Sequence, residues 1–161
     1  MSKYILVIFL FCSCSVGFKG TSIPAEVKTF TVENVIDNSY NAPSTYPTDF
    51  QVALSNKIRR ESKLKANDRD PDLTYKVSIS NFAVSSQAPV SGAVSAINRL
   101  EIVVQVQAIY SKNESLNWSK NFSRFTEFDA NTNFSTIENQ LTTALNKLLT
   151  EDIFIASFSN W

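Results

Sequence analysis

Three stretches of the chain alternate apolar and polar side chains, and this alternation constrains the fold more than any other feature. The stretches cover Leu73–Ser80, Leu100–Ala108 and Leu116–Phe128. A period of two places one set of side chains on a buried face of a β-sheet and the other set on an exposed face. Because short connections join the three stretches, we predict an antiparallel meander of three strands.

Two elements are predicted before the meander. The stretch Glu26–Val35 is rich in β-branched and aromatic residues, which is typical of a strand. A helix then follows from a capping box, in which Thr48 is the N-cap and Gln51 stands three residues later. We expect this helix to end at about Lys63.

A second capping box, Ser135 to Glu138, predicts a C-terminal helix. The element order is therefore β-α-β-β-β-α. We predict an α+β fold, a two-layer sandwich whose four-stranded, mostly antiparallel sheet carries both helices on one face. The apolar stripe of the C-terminal helix is expected to comprise Ile137, Leu141, Ala144, Leu145, Leu148 and Ile153. The uncovered sheet face is expected to carry Lys76, Ser78, Ser80, Glu101, Gln105 and Gln107.

Composition excludes several classes of function. The chain has no histidine, which removes Ser-His-Asp and Cys-His nucleophiles and every His-ligated metal site. Its three glycines form neither a dinucleotide-binding nor a P-loop motif. Fifteen basic residues balance fifteen acidic ones, so bulk charge does not favour nucleic acid as a partner. We expect a protein that is not an enzyme and that uses no cofactor and no metal.

The N-terminus has the features of a secretory signal. Lys3 precedes an apolar run, Tyr4–Phe11, which is far shorter than the about 20 residues that span a bilayer. A buried strand is the alternative interpretation of this run. Ser13 before Cys14 resembles the lipobox of bacterial lipoproteins, with Cys12 as a second possible acceptor. We therefore predict a signal peptide over 1–13, lipidation at Cys14, a linker over 14–25 and one domain over 26–161.

Charged residues within the predicted domain give few candidate sites. Asp68, Asp70 and Asp72 alternate as in a calcium loop, but Pro71 intrudes and the glycine of an EF-hand is missing, which favours a solvated loop. Glu127 and Asp129 form a possible acid pair, although a capping or turn role suits their place after a strand better.

Three cations lie in or beside predicted strands. Arg99, Lys120 and Arg124 either form a charged rim or cluster around an anionic ligand, and the sequence leaves both interpretations open.

Four stretches taken together resemble the LptE-like lipopolysaccharide-assembly lipoproteins of Gram-negative bacteria. In order along the chain they are Cys14–Pro24, Asn98–Val104, Phe122–Asp129 and Leu149–Phe154, the last accompanied by the terminal Asn160 and Trp161. The resemblance covers essentially the whole chain after the predicted signal peptide.

This resemblance implies a lipid-anchored plug inside a large outer-membrane β-barrel, the LptD-like translocon. Such a protein would lie on the periplasmic side of the outer membrane, assist assembly of the barrel and contact lipopolysaccharide. Phosphates would favour cationic contacts, for which Lys76, Arg99, Lys120 and Arg124 are candidates. The hairpin Gln87–Ala96 is a further candidate contact.

Two alternatives to the plug remain. The first is a periplasmic interaction module with the same anchor and another partner. The second is a hydrolase that uses two facing carboxylates as acid and base, for which this small domain offers no obvious cleft.

Overall fold

The computed structural model describes residues 23–87 and 96–159. The predicted signal peptide, the acceptor Cys14 and most of the Gln87–Ala96 hairpin lie outside the described residues. The elements in chain order are strands β1 (Thr29–Val32) and β2 (Ile36–Asp37), helix α1 (Tyr46–Glu61), strands β3 (Lys65–Ala66), β4 (Leu73–Gln87), β5 (Ile97–Tyr110) and β6 (Trp118–Asp129), and helix α2 (Phe134–Phe158). A short 3-10 turn, Glu114–Leu116, lies between β5 and β6.

The strands form one mixed sheet in the order β3-β1-β4-β5-β6, and β2 also pairs with β4. Strands β4, β5 and β6 are the predicted antiparallel meander, while β1 runs parallel to both β3 and β4. The α+β class and the two helices on one face are confirmed. The prediction of four mostly antiparallel strands is confirmed only in part, because the sheet is mixed and has two further strands, β2 and β3, which have two residues each and are too short to show a period.

The predicted first strand is divided into β1 and β2. Both pieces run alongside β4 in one direction, with Phe30 opposite Leu73 and Ile36 opposite Ser78. Between them the backbone N–H of Glu33 still donates to the carbonyl of Tyr75 at 2.9 Å. Strands β1 and β2 are therefore two parts of one extended segment that pairs with β4.

Strand β4 continues well beyond its predicted end at Ser80. Its register with β5 shifts between Ile79 and Asn81, so Ser80 is the extra residue of a β-bulge. Before the bulge odd-numbered residues are buried, and after it Phe82 is buried instead. The bulge reverses the alternation, which is why the sequence pattern breaks at Ser80 although the strand does not.

Both predicted capping boxes are wrong. Helix α1 begins at Tyr46, earlier than predicted, because Pro47 suits the first helical turn. The Gln51 side chain donates to the carbonyl of Val32 at 2.9 Å rather than to a cap. Helix α2 is capped by Asn133, whose side chain accepts from the backbone N–H of Ser135 at 3.1 Å.

The buried stripe of α2 differs from the predicted one because it includes polar residues. Its buried residues are Thr142, Leu145, Asn146, Leu149, Thr150, Ile153, Phe154 and Phe158, whereas Leu148 is 46% exposed. Asn146 is accommodated because its side-chain oxygen accepts from the Tyr46 hydroxyl at 2.7 Å. This hydrogen bond links the start of α1 to the middle of α2.

The core lies between the sheet and the two helices. Helix α1 packs on β1 and β3, helix α2 packs on β5 and β6, and the helices contact each other. The largest side chains with almost no exposure come from all of these layers: Phe30, Phe50, Leu54, Ile58, Leu73, Tyr75, Ile79, Leu100, Ile102, Leu145, Leu149 and Phe158.

Two neighbouring leucines of α2 test this packing. Leu149→Ala removes a side chain with 0% exposure and is expected to lower the free energy of unfolding by about 2–5 kcal/mol. Leu148→Ala, the matched control, is expected to cost less than about 1 kcal/mol. Urea denaturation of both variants measures the difference, and similar losses at the two positions would contradict the described rotation of α2.

Candidate interaction surface

The face of β4, β5 and β6 turned away from the helices is open and mostly polar. Cross-strand partners share a face, so the register places Gln107 between Lys76 and Ser119, and Gln105 between Ser78 and Asn121. We call this surface the open face. Its exposed polar side chains include Lys76, Gln105, Gln107, Ser119, Asn121 and Ser123.

Glu101 lies in the middle of the open face and joins all three long strands. Its carboxylate accepts from the Asn81 side chain at 3.2 Å on β4 and from the Ser123 hydroxyl at 3.1 Å on β6. These bonds hold polar side chains of neighbouring strands in fixed positions. The open face is consequently a preorganised polar surface in its central part.

An aromatic and a cation lie together at one end of the open face. The Arg99 guanidinium carbon is 4.0 Å from the centroid of the Phe125 ring, and Phe125 is 51% exposed. The same guanidinium donates to Glu127, with 2.6 Å between Nη2 and Oε1. Arg99 is therefore already paired across β5 and β6, and its guanidinium lies over the exposed ring in a cation–π contact.

Two of the predicted cations lie on the other side of the sheet. The register places Lys120 opposite Val106 and Arg124 opposite Ile102, both of which face the helices. Arg124 donates two hydrogen bonds of 2.6 Å to the two oxygens of Asp152 on α2, and these bonds raise the pKa of the guanidinium. Lys120 lies 5.8 Å from the ring centroid of Trp118.

Lys76 belongs to the open face, as predicted. Its ammonium is 3.8 Å from a carboxylate oxygen of Glu33, a loose pair between exposed groups. It lines a shallow hollow of about 110 Å³ with Ile36, which is 61% exposed. The four predicted cations thus do not form one cluster, and their contact with lipopolysaccharide or a barrel stays a prediction.

The acidic candidates have structural roles. Asp129 accepts from the backbone N–H of Asn131 at 2.8 Å and so closes a turn, in agreement with the turn role expected from the sequence. Asp68 accepts from the Thr31 hydroxyl at 2.7 Å. Within the described ranges no three ligating side chains converge as a metal site would require.

Asp72 was not expected to be structurally important, yet it joins three parts of the chain. One of its oxygens accepts from the backbone N–H groups of Lys28 and Thr29 at 2.8 and 3.0 Å, and the other is 2.7 Å from the Lys112 ammonium. The Lys112 contact and then the backbone donors lower the pKa of the Asp72 carboxyl well below its usual range. The sequence signal was weak, since three alternating aspartates resemble any solvated loop.

A groove of about 570 Å³ separates α1 from α2 on the surface facing away from the sheet. Lys57 crosses it and forms ion pairs with Glu61 at 2.6 Å and with Glu151. Partial burial disfavours the Lys57 ammonium, but its bonds to Glu151 and Glu61 outweigh burial and raise its pKa. Lys57 therefore ties the two helices together, a role that sequence analysis missed because Glu151 lies ninety-four positions away.

Neither the described helices nor comparison by sequence assigns a function to the chain. No helix in residues 23–87 and 96–159 combines the length and apolarity needed to cross a membrane. No family model matches the chain, and no curated protein matches it significantly by sequence.

Solved structures do match the fold. A PelC dodecamer from Paraburkholderia phytofirmans gives a TM-score of 0.54 at 11% identity, covering 88% of this chain and 94% of its own. The hypothetical protein CT253 from Chlamydia trachomatis gives 0.52 at 7% identity, covering 83% and 99%. A minor lipoprotein from Acinetobacter baumannii gives 0.51 at 11% identity, covering 82% and 96%.

These likenesses show a shared fold, and one of the three similar proteins is a bacterial lipoprotein. None of the three is described as an LptE-like protein. The comparisons therefore support the fold in its coarse form and give the lipopolysaccharide-assembly assignment no support of its own.

The Asp72 contacts generate a stability prediction. A carboxyl whose pKa falls on folding stabilises the protein above its unfolded pKa of about 3.9, and this stabilisation disappears as the pH falls towards the folded pKa. We expect Asp72→Asn to lower the free energy of unfolding by about 1–2 kcal/mol at pH 7. The gap to wild type should shrink progressively below about pH 4.

Urea denaturation between pH 2.5 and 7 measures this gap. Asp70→Asn is the matched control, because Asp70 is exposed and its carboxylate makes no hydrogen bond within the described residues. A wild-type advantage over Asp72→Asn that stays constant across the pH range would contradict the role of the charge.

Proposed function

We propose that this protein is a lipid-anchored lipoprotein of the bacterial envelope that acts as a non-catalytic docking module. The observation that carries the proposal is the open face, a broad sheet surface that the helices leave uncovered and that is preorganised by Glu101. The signal-like N-terminus and the Cys14 lipobox support the anchor. The fold shared with a lipoprotein from Acinetobacter baumannii agrees with this proposal.

The finer form of the proposal names the partner. The resemblance of four sequence stretches to LptE-like proteins favours an LptD-like outer-membrane β-barrel, with lipopolysaccharide as the transported lipid. A barrel of that kind has a polar interior, and the exposed amides of Gln105, Gln107 and Asn121 suit such a wall. The cations are less suited to phosphate than the sequence suggests, because Arg99 and Arg124 are already paired with carboxylates.

An alternative partner is a second copy of this chain. The solved PelC structure with this fold is a dodecamer. The outer edge of β6 has no strand partner within the described residues, and unpaired edges favour pairing between chains. Homo-oligomerisation is therefore the second candidate, and the experiment below distinguishes it from a barrel partner.

Site-specific photocrosslinking in living cells tests the docking surface. A photoreactive residue at Gln105 on the open face is expected to give a crosslinked product, identified by affinity purification and mass spectrometry. Gln140 on the exposed side of α2 is the matched control and should crosslink at least fivefold less.

The mass of the partner separates the candidates. A large β-barrel crosslinked to Gln105 supports the translocon proposal, and a product of two copies of this chain supports the oligomer. Equal crosslinking from Gln105 and Gln140 would contradict a docking role for the open face.

The anchor is tested separately at the two cysteines. Cys14→Ser is expected to abolish incorporation of a palmitate analogue, because the acceptor thiol is lost. Cys12→Ser is the matched control and should retain at least half of the wild-type label. Label that is lost in Cys12→Ser and kept in Cys14→Ser would move the acceptor to Cys12, and label in neither wild type nor variants would contradict the anchor.

A further inference from the structure

The β3 edge of the sheet combines an apolar floor with three exposed lysines. A hollow of about 700 Å³ is lined there by Ile23, Val27 and Leu64 among its apolar residues. Lys28, Lys63 and Lys65 line the same hollow, and all three are exposed. We call the three lysines with this hollow the basic edge.

The lysines of the basic edge are not held in ion pairs within the described residues. Within the described residues none of its three lysines forms an ion pair, not even with Glu26, an exposed carboxylate close in the sequence, and two other carboxylates near the edge are engaged elsewhere. Glu61 pairs with Lys57, and Asp72 pairs with Lys112. The stretches outside the described residues contain no aspartate or glutamate.

Ordinary structural roles account for only part of this charge. Arg59 and Arg60, also exposed, occupy the last turn of α1, where cations complement the helix dipole. Lys65 belongs to an edge strand, where a lysine discourages pairing with another chain. Neither role explains Lys28 and Lys63, which add to the same positive surface around an apolar hollow.

The position of the basic edge relates it to the proposed anchor. Ile23, the first described residue, lines the hollow. Eight residues lie between it and Cys14, so the two are at most about 32 Å apart even in a fully extended chain. That segment carries Lys19 and no acidic residue, so the route from the acyl chains to the basic edge is short and positively charged.

We infer that the basic edge docks on the anionic phospholipid headgroups of the membrane that holds the acyl chains. The inference rests on the lipid anchor in the proposed function. Lysines near an anionic surface and an acyl chain reinforce each other, since the anchor keeps the lysines close to the headgroups. The apolar floor of the hollow then faces the interfacial region instead of water.

This docking sets the orientation of the domain. Strand β3 and strand β6 form opposite edges of the sheet, four strand spacings or about 19 Å apart. With β3 at the membrane, the sheet stands edge-on, and the open face is directed sideways. A partner beside the protein in the membrane or periplasm then reaches the open face without displacing lipid.

Lysine footprinting of the acylated full chain tests the inference. The protein is reconstituted on vesicles containing 30 mol% phosphatidylglycerol in phosphatidylcholine, or phosphatidylcholine alone, and acetylated briefly before mass spectrometry. We expect acetylation of Lys28, Lys63 and Lys65 to fall at least fivefold on the anionic vesicles and to recover in 0.5 M NaCl, because salt screens the attraction. Lys120 on β6 is the internal control and should be labelled equally on both vesicles.

A charge-reversal pair keeps the test independent of labelling at the lysines themselves. Lys28→Glu/Lys63→Glu/Lys65→Glu is compared with Lys76→Glu/Lys120→Glu/Lys147→Glu, and hydrogen exchange is measured at the β3 amides. The control triple variant should show the same slowing of exchange on anionic vesicles as wild type, and the basic-edge triple variant should show none. Circular dichroism checks that both variants are folded.

The outcomes separate this inference from the proposed anchor. Protein that floats with both vesicles but is labelled equally on each contradicts the basic edge alone. Equal protection on both vesicles also contradicts it, since charge would then play no part. Protein that floats with neither vesicle contradicts the anchor and this inference together.

Discussion

The carboxylate of Asp72 is the interaction on which the remainder of the sheet depends. It stands one residue before β4, accepts from the backbone at the start of β1, and binds the Lys112 ammonium at the corner after β5. Parallel β1 comes from a distant part of the chain and has no hairpin to set its register. The carboxylate supplies that register: its bonds to Lys28 and Thr29 hold β1 beside β4, so that Phe30 lies opposite Leu73 and both are buried in the core.

The sequence predicts those parts of the fold whose signal is local and periodic. Strand β5 is central in the meander and alternates without a break, so its buried set from Leu100 to Ala108 is predicted correctly. The long C-terminal helix is also predicted, but its buried stripe is not. Asn146 and two threonines are buried in this stripe; the threonine hydroxyls bond to carbonyls of α2 itself, but the burial of Asn146 depends on the distant Tyr46 hydroxyl. The start of α2 was missed for a local reason, because Asn133, two residues before Ser135, caps the helix by accepting from the backbone N–H of Ser135.

A cation predicted from its residue type is not always free to bind an anionic ligand in the folded protein. Four cations were singled out for an anionic ligand, yet the fold places two on each side of the sheet. Arg99 and Arg124 each form an ion pair with a carboxylate on a neighbouring strand or helix. The spacing of residues in the sequence does not predict these pairs. The sequence does not predict the basic edge, because its lysines are spread over thirty-eight positions, from Lys28 to Lys65. Only the parallel pairing of β1 with β3 brings them to one edge.

The bulge at Ser80 divides β4 into two segments, and the buried residues change from odd-numbered to even-numbered between them. Before the bulge the buried residues of β4 are odd-numbered and after it the buried residue is Phe82, whereas the buried residues of β5 are even-numbered throughout. A deletion of Ser80 alone would remove the bulge and leave Asn81 opposite Val103 and Phe82 opposite Ile102, so the Phe82 ring would stay in the core. The bulge thus lets the fifteen residues of β4 pair with the fourteen of β5 while Ile79 on one side of it and Phe82 on the other both remain in the core.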